Sequence, residues 1–105
     1  MRLLCHSSDI GEGQSKGFEA EGQALFVVHK NGRFHVYRNA CPHLGIGLEW
    51  MPDQFLDADG CLIQCAMHGA LFLIESGECI SGPCSGQALT PVRYEIRDGD
   101  IWIQL

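Results

Sequence analysis

Cys41-Pro42-His43-Leu44-Gly45 and Cys65-Ala66-Met67-His68-Gly69 are the two stretches around which the rest of the chain is read. Each carries one thiol and one imidazole and closes on a glycine. The first is a Cys-x-His pair and the second a Cys-x-x-His pair, with residues 44–64 between them. Two near-identical pairs call for one shared explanation, which disfavours a nucleophilic Cys–His dyad and favours metal ligation. Two thiolates and two imidazoles suit zinc. They also suit a [2Fe–2S] cluster in which imidazoles replace thiolates on one iron. Zinc fingers space their histidines more widely and do not alternate Cys-His with Cys-His, so the pattern favours iron.

The bulk properties fit that reading. A chain of 105 residues is expected to be one domain with a modest core. Metal ligation coupled to folding would add stability. No run of about 18 apolar residues occurs, so no membrane span is expected. Met1 to Ser7 contains no sustained apolar segment, so no secretory signal is read and the expected compartment is the cytoplasm. The formal charge is -6, and the seven Lys and Arg are dispersed. That excludes nucleic acid as a partner, because phosphate binding needs clustered cations. An acidic surface suits docking to a basic patch on a redox partner, and it also serves ordinary solubility.

Six cysteines are present. Cys5, Cys61 and Cys79 have apolar neighbours and read as small core residues. Cys79 and Cys84 are close enough in sequence to pair, although a reducing compartment disfavours a disulfide. His6, His29 and His35 read as surface or hydrogen-bonded histidines rather than ligands. Glu49, Asp53, Asp57 and Asp59 form an acidic group whose spacing fits no calcium loop, so they read as a solvated face.

Many short apolar runs and 13 glycines predict an all-β fold. Arg2 to Cys5 reads as an edge strand, Ser7 to Lys16 as a loop, and Gly17 to Ala20 as a short strand with Phe18 inward. Ala24 to Val28 is an unbroken apolar run, expected of a strand buried on both faces. Asn31-Gly32 is a hairpin signal, with Phe34 to Tyr37 returning antiparallel and Phe34 and Val36 on one face. Leu48 to Asp59 reads as an irregular insertion. Its Trp50 and Phe55 could pad the core or form a docking surface, and padding is the preferred reading. Asp59-Gly60 and Ser76-Gly77 are turn signals, and Pro83 would end strand pairing. A last hairpin turns at Asp98-Gly99, with Ile101 and Ile103 on one face and Trp102 on the other.

The ligand pairs, the string Cys65-Ala66-Met67-His68-Gly69-Ala70-Leu71-Phe72, the Ser76-Gly77-Glu78-Cys79 turn and Ser81-Gly82-Pro83 together resemble the Rieske iron–sulfur family over about residues 25–105. The resemblance implies an antiparallel β-sandwich with an inserted cluster-binding subdomain (residues 40–76) on a base formed by residues 1–39 and 77–105. It implies that Cys41 and Cys65 hold the inner iron of one [2Fe–2S] cluster and that His43 and His68 hold the outer iron. Gly45 and Gly69 would turn backbone N–H groups towards the cluster, and Gly82-Pro83 would cover one side of it. High-potential members carry an extra cysteine in each ligand loop, and a serine and a tyrosine after the second loop. Here those places hold Ile46, Met67, Ala70 and Phe72, which implies a low potential, nearer about -150 mV in the Rieske range. The implied function is that of a soluble ferredoxin. It would be a one-electron carrier, not an enzyme, taking electrons from a reductase and passing them to an oxygenase or similar acceptor. The alternatives are a small iron–sulfur subunit of a larger complex, like that of assimilatory nitrite reductase, and a redox sensor. The gap between ligand pairs is a few residues longer than in most such ferredoxins, and the surplus falls around Leu48 to Asp59.

Overall fold

The computed structural model describes residues 1–40, 42, 47–49, 51, 53–65 and 69–105. Among them the chain forms nine strands: β1 (Arg2–His6), β2 (Ser15–Ala20), β3 (Gln23–Lys30), β4 (Arg33–Arg38), β5 (Leu62–Gln64), β6 (Leu71–Leu73), β7 (Cys79–Ser81), β8 (Arg93–Arg97) and β9 (Asp100–Gln104). All pairings between them are antiparallel. They make three three-stranded sheets, ordered β1-β9-β8, β2-β3-β4 and β5-β6-β7. This is the all-β architecture that the short apolar runs and turn signals predict. The segment expected to be a loop before β2 holds a short 3-10 turn, Ser7–Asp9, and ends two residues early, at Ser15.

Strand β3 explains how the sheets are layered. Leu25, Phe26, Val27 and Val28 are all fully buried. Successive side chains on a strand point to opposite faces. Leu25 and Val27 therefore join one core with Ile10, Phe34, Val36, Val92, Ile101 and Ile103. Phe26 and Val28 join a second core with Tyr37, Phe55, Ile63, Cys65, Phe72 and Leu89. The middle sheet is thus apolar on both faces. One face meets the terminal sheet β1-β9-β8, the other the sheet β5-β6-β7.

Turn chemistry sets the register. Asn31 and Gly32 adopt φ of 54° and 74°, and Lys30 pairs with Arg33 across a two-residue hairpin. Both Glu12 carboxylate oxygens cap that turn, accepting from the Asn31 and Gly32 amides at 2.7 and 2.8 Å. Those two bonds hold the Glu12 carboxyl below its ordinary pKa. Asp98 and Gly99 also have positive φ, 51° and 80°, and turn β8 into β9. Ile101 and Ile103 are fully buried there, while Trp102, half-buried on the other face, has Arg97 over its ring.

The insertion between the ligand loops docks on β2. The Ser15 hydroxyl donates to the Asp53 carbonyl at 2.8 Å, and the Gly17 amide donates to the Asp53 carboxylate at 2.8 Å. Phe55 is fully buried and stacks on Phe26 with centroids 4.4 Å apart and planes 6° apart. Phe55 is therefore core padding, as preferred from the sequence; Trp50 lies outside the described residues. Gly17 is needed beneath it, because a Cβ there would lie 3.3 Å from the Phe55 ring and 3.2 Å from Glu49 Oε2. Cys61 corrects the sequence reading, which made it a core residue. It is exposed, because the Asp57 carboxylate accepts from the Cys61 and Leu62 amides and holds that turn at the surface. Phe55→Ala is expected to cost about 3–5 kcal/mol by removing a stacked, fully buried ring. Urea unfolding checks this, and a loss below about 1 kcal/mol would show that the insertion is not part of the core.

Candidate metal centre

Three short segments build the region of the two loops. The first loop leaves β4 and is closed at its base by Asn39. The Asn39 side-chain Oδ1 accepts from the Leu48 amide at 2.8 Å, and its Nδ2 donates to Glu49 Oε1 at 2.7 Å. The Asn39 backbone amide is tied to the Ala24 carbonyl on β3 at 2.9 Å. One side chain thus fixes the exit and the return of residues 40–47. Leu48, fully buried, adds an apolar anchor at the same point.

The second loop joins β5 to β6. Cys65, fully buried, donates its amide to the Ala70 carbonyl at 2.9 Å, and its own carbonyl accepts from the Gly69 amide at 2.9 Å. Gly69 has φ of 64°, which a residue with a Cβ adopts only with strain. The Gly69 amide itself closes the loop on Cys65. The conformational demand for glycine at 69 remains.

The third segment follows β7. Gly82 has φ of 102°, and a Cβ there would sit 2.8 Å from the Ala70 Cα and 3.1 Å from its Cβ. The backbone at Gly82 therefore lies directly on the exit of the second loop. Leu71 pairs with Ser81 and Phe72 with Cys79, so β7 carries this segment into position. The Cys79 and Cys84 sulfurs are 2.9 Å apart, longer than the ~2.05 Å of a disulfide bond.

Tyr37 ties the middle sheet to this region. Its hydroxyl donates to the Ile74 carbonyl at 2.6 Å, and burial pushes its pKa up to about 12, so it remains a donor. Gly77 passes against the same ring, where a Cβ would come within 2.8 Å.

Of the four residues read as ligands, Cys65 is described, and its burial suits a thiolate on a hidden iron. Cys41, His43 and His68 lie outside the described residues, as do Gly45, Ile46 and Met67. Ala70 and Phe72, on the strand leaving Cys65, are fully buried and carry no hydroxyl donor. The remaining histidines have other partners. His29 bonds the Ile10 carbonyl at 2.8 Å and stacks on Phe34, and His6 contacts Asp100. Burial lowers the His35 pKa, keeping that imidazole neutral. The acidic group is largely occupied too, since Glu49, Asp53 and Asp57 each accept from protein N–H groups. Asn39, Ser15 and Asp57 are the positioning residues that sequence reasoning missed. An asparagine two residues before Cys41 was the available signal.

The described residues form a small protein of layered antiparallel sheets that carries a buried cysteine on a glycine-closed turn. The chain belongs to the Rieske [2Fe–2S] domain family, whose model matches residues 1–95. The group implied by the family is one [2Fe–2S] cluster, and the donor chemistry of a buried thiol in an apolar core fits it. The chain is 32% identical over 89 residues to the ferredoxin component of the naphthalene 1,2-dioxygenase system of Pseudomonas putida, covering 84% of this chain and 81% of that protein. It is 35% identical over 95 residues to the cytochrome b6-f complex iron-sulfur subunit of Chlorobaculum thiosulfatiphilum. That match covers 90% of this chain but 47% of the relative, so the chain spans about half of that protein's length. Among solved structures, the Sphingomonas yanoikuyae B1 ferredoxin superposes with a TM-score of 0.77 at 25% identity, covering 98% of this chain and 96% of that one.

Ala70→Ser adds a hydroxyl opposite Cys65 in the loop. One added hydrogen bond of about 1 kcal/mol that favours the reduced state corresponds to a rise of about 40 mV for a one-electron couple. Protein-film voltammetry checks this, and an unchanged or lowered midpoint would remove the donor argument.

Proposed function

We propose that this protein is a low-potential, one-electron carrier that takes an electron from a reductase and delivers it to an oxygenase or similar acceptor. Membership of the Rieske [2Fe–2S] family over residues 1–95 carries this reading. The likeness to ferredoxin components over most of their length favours a carrier over a subunit of a larger reductase. Ile46, Met67, Ala70 and Phe72 stand where high-potential members of the family carry cysteines and hydroxyl donors, which favours a low potential.

In this reading the site residues are Cys41, His43, Cys65 and His68. A bound [2Fe–2S] cluster supplies reversible uptake of a single electron. Cys41 and Cys65 would hold the inner iron. His43 and His68 would hold the outer iron, where an imidazole can release a proton in the oxidised state. Asn39 closes the base of the first segment, and the Cys65–Ala70 pair closes the second. Residues 40–76 act as the cluster-binding subdomain on a base of 1–39 and 77–105, with β7 joining the two through its pairing with β6. No helix among the described residues is long and apolar enough to cross a membrane, and we place the carrier in the cytoplasm. The formal charge of -6 suits a basic docking patch on its partners.

Electron paramagnetic resonance of the reduced protein tests the assignment. The wild type is expected to give a mixed-valence [2Fe–2S] signal, and His43→Ala or His68→Ala to lose it. Colourless protein after anaerobic reconstitution, without acid-labile sulfide, would overturn the proposal.

A further inference from the structure

We propose that Cys79 and Cys84 form a dithiol that converts to an intramolecular disulfide, a two-electron site beside the one-electron centre. The pair is built into the fold. The two sulfurs are 2.9 Å apart, so bond formation needs an approach of roughly 0.9 Å. Both backbones are fixed to Gln87: the Cys79 amide donates to its carbonyl, and the Gln87 amide donates to the Cys84 carbonyl, each at 2.9 Å. Both side chains are buried, at 3% and 1% exposure. Burial delays reagents but does not seal the pair. Cys84 is the one buried residue in an otherwise exposed run from Ile80 to Ala88, so opening that single turn presents its sulfur to solvent.

The oxidant class is a small-molecule disulfide such as oxidised glutathione. One cysteine thiolate attacks it, forming a mixed disulfide and releasing one glutathione thiolate. The second cysteine thiolate displaces the other glutathione and closes the ring. Two thiols lose two electrons and two protons, and one oxidised glutathione becomes two reduced molecules. The closed ring encloses Ile80 to Pro83, so it locks the backbone of Gly82 against Ala70. Cys5 is a poor competitor, because burial pushes its thiol up to about 11. Exposed Cys61 lies outside this core and is the expected site of simple glutathione attachment.

The test uses the full-length, cluster-loaded protein in buffers of graded reduced-to-oxidised glutathione ratio. Thiols are trapped with an alkylating reagent, the protein is denatured, and it is cleaved after glutamate. Cleavage after Glu78 and Glu95 releases one peptide, residues 79–95, that holds Cys79 and Cys84 and no other cysteine. The expected product under oxidising ratios is this peptide without alkyl groups and lighter by two hydrogens, with both alkylation sites restored by reductant. In Cys84→Ser the same peptide should keep one alkyl group or carry one glutathione. If the wild-type peptide stays doubly alkylated at every ratio, or gains glutathione without ring closure, the proposal fails. Visible absorption of the cluster, followed in parallel, reports separately on the carrier function.

Discussion

Leu25 to Val28 leave no side chain in water, and alternation sends them into two different cores. A strand with one wet face could anchor only one neighbour. This one holds the terminal sheet on one side and the ligand-bearing sheet on the other. Full burial of such side chains is worth about 1.5–3 kcal/mol each before ordering costs are met. The strand is also one arm of the hairpin that leads into the first ligand loop. The element that unites the two cores is therefore the element that aims the site.

Both ligand-bearing segments are closed by short, mostly local bonds rather than by distant packing. Asn39 bridges the start and return of the first, and Cys65, Gly69 and Ala70 close the second upon themselves. The two closures meet through β3, since Asn39 is tied to Ala24 and Phe26 stacks on Phe55. A one-electron site works best when its surroundings change little between oxidation states. The Asn39–Ala24 bond anchors the start of the first segment on that doubly buried strand. The longer insertion, which could have loosened the gap between the ligand pairs, is instead folded back through Ser15, Gly17 and Asp53.

Local chemistry was legible in the sequence. Asn31-Gly32 and Asp98-Gly99 turn where their dipeptides place them, and the apolar run before them is buried on both faces. The resemblance to the family rested on the two Cys/His pairs together with the Cys65–Phe72, Ser76–Cys79 and Ser81–Pro83 strings, and the family model bears it out. What escaped were contacts set by tertiary structure. The apolar neighbours of Cys61 suggested burial, but the Asp57 cap holds the residue at the surface. The amide of Gly69 found a partner four residues back, which a motif does not reveal. Asn39, Ser15 and Asp53 are ordinary polar residues until their partners, up to 40 residues away, are known.

The third segment carries the last step. Gly82 lies on Ala70 so closely that neither a larger backbone neighbour nor an intervening water has room. Ala70 is the carbonyl partner of Cys65. A cover so placed excludes solvent from the buried thiol, and water exclusion strengthens every nearby electrostatic interaction. With no hydroxyl at 70 or 72 to offset added negative charge, exclusion should make reduction harder and the carrier more strongly reducing. The same small residue thus allows the close approach of the third segment and brings no hydroxyl to that position.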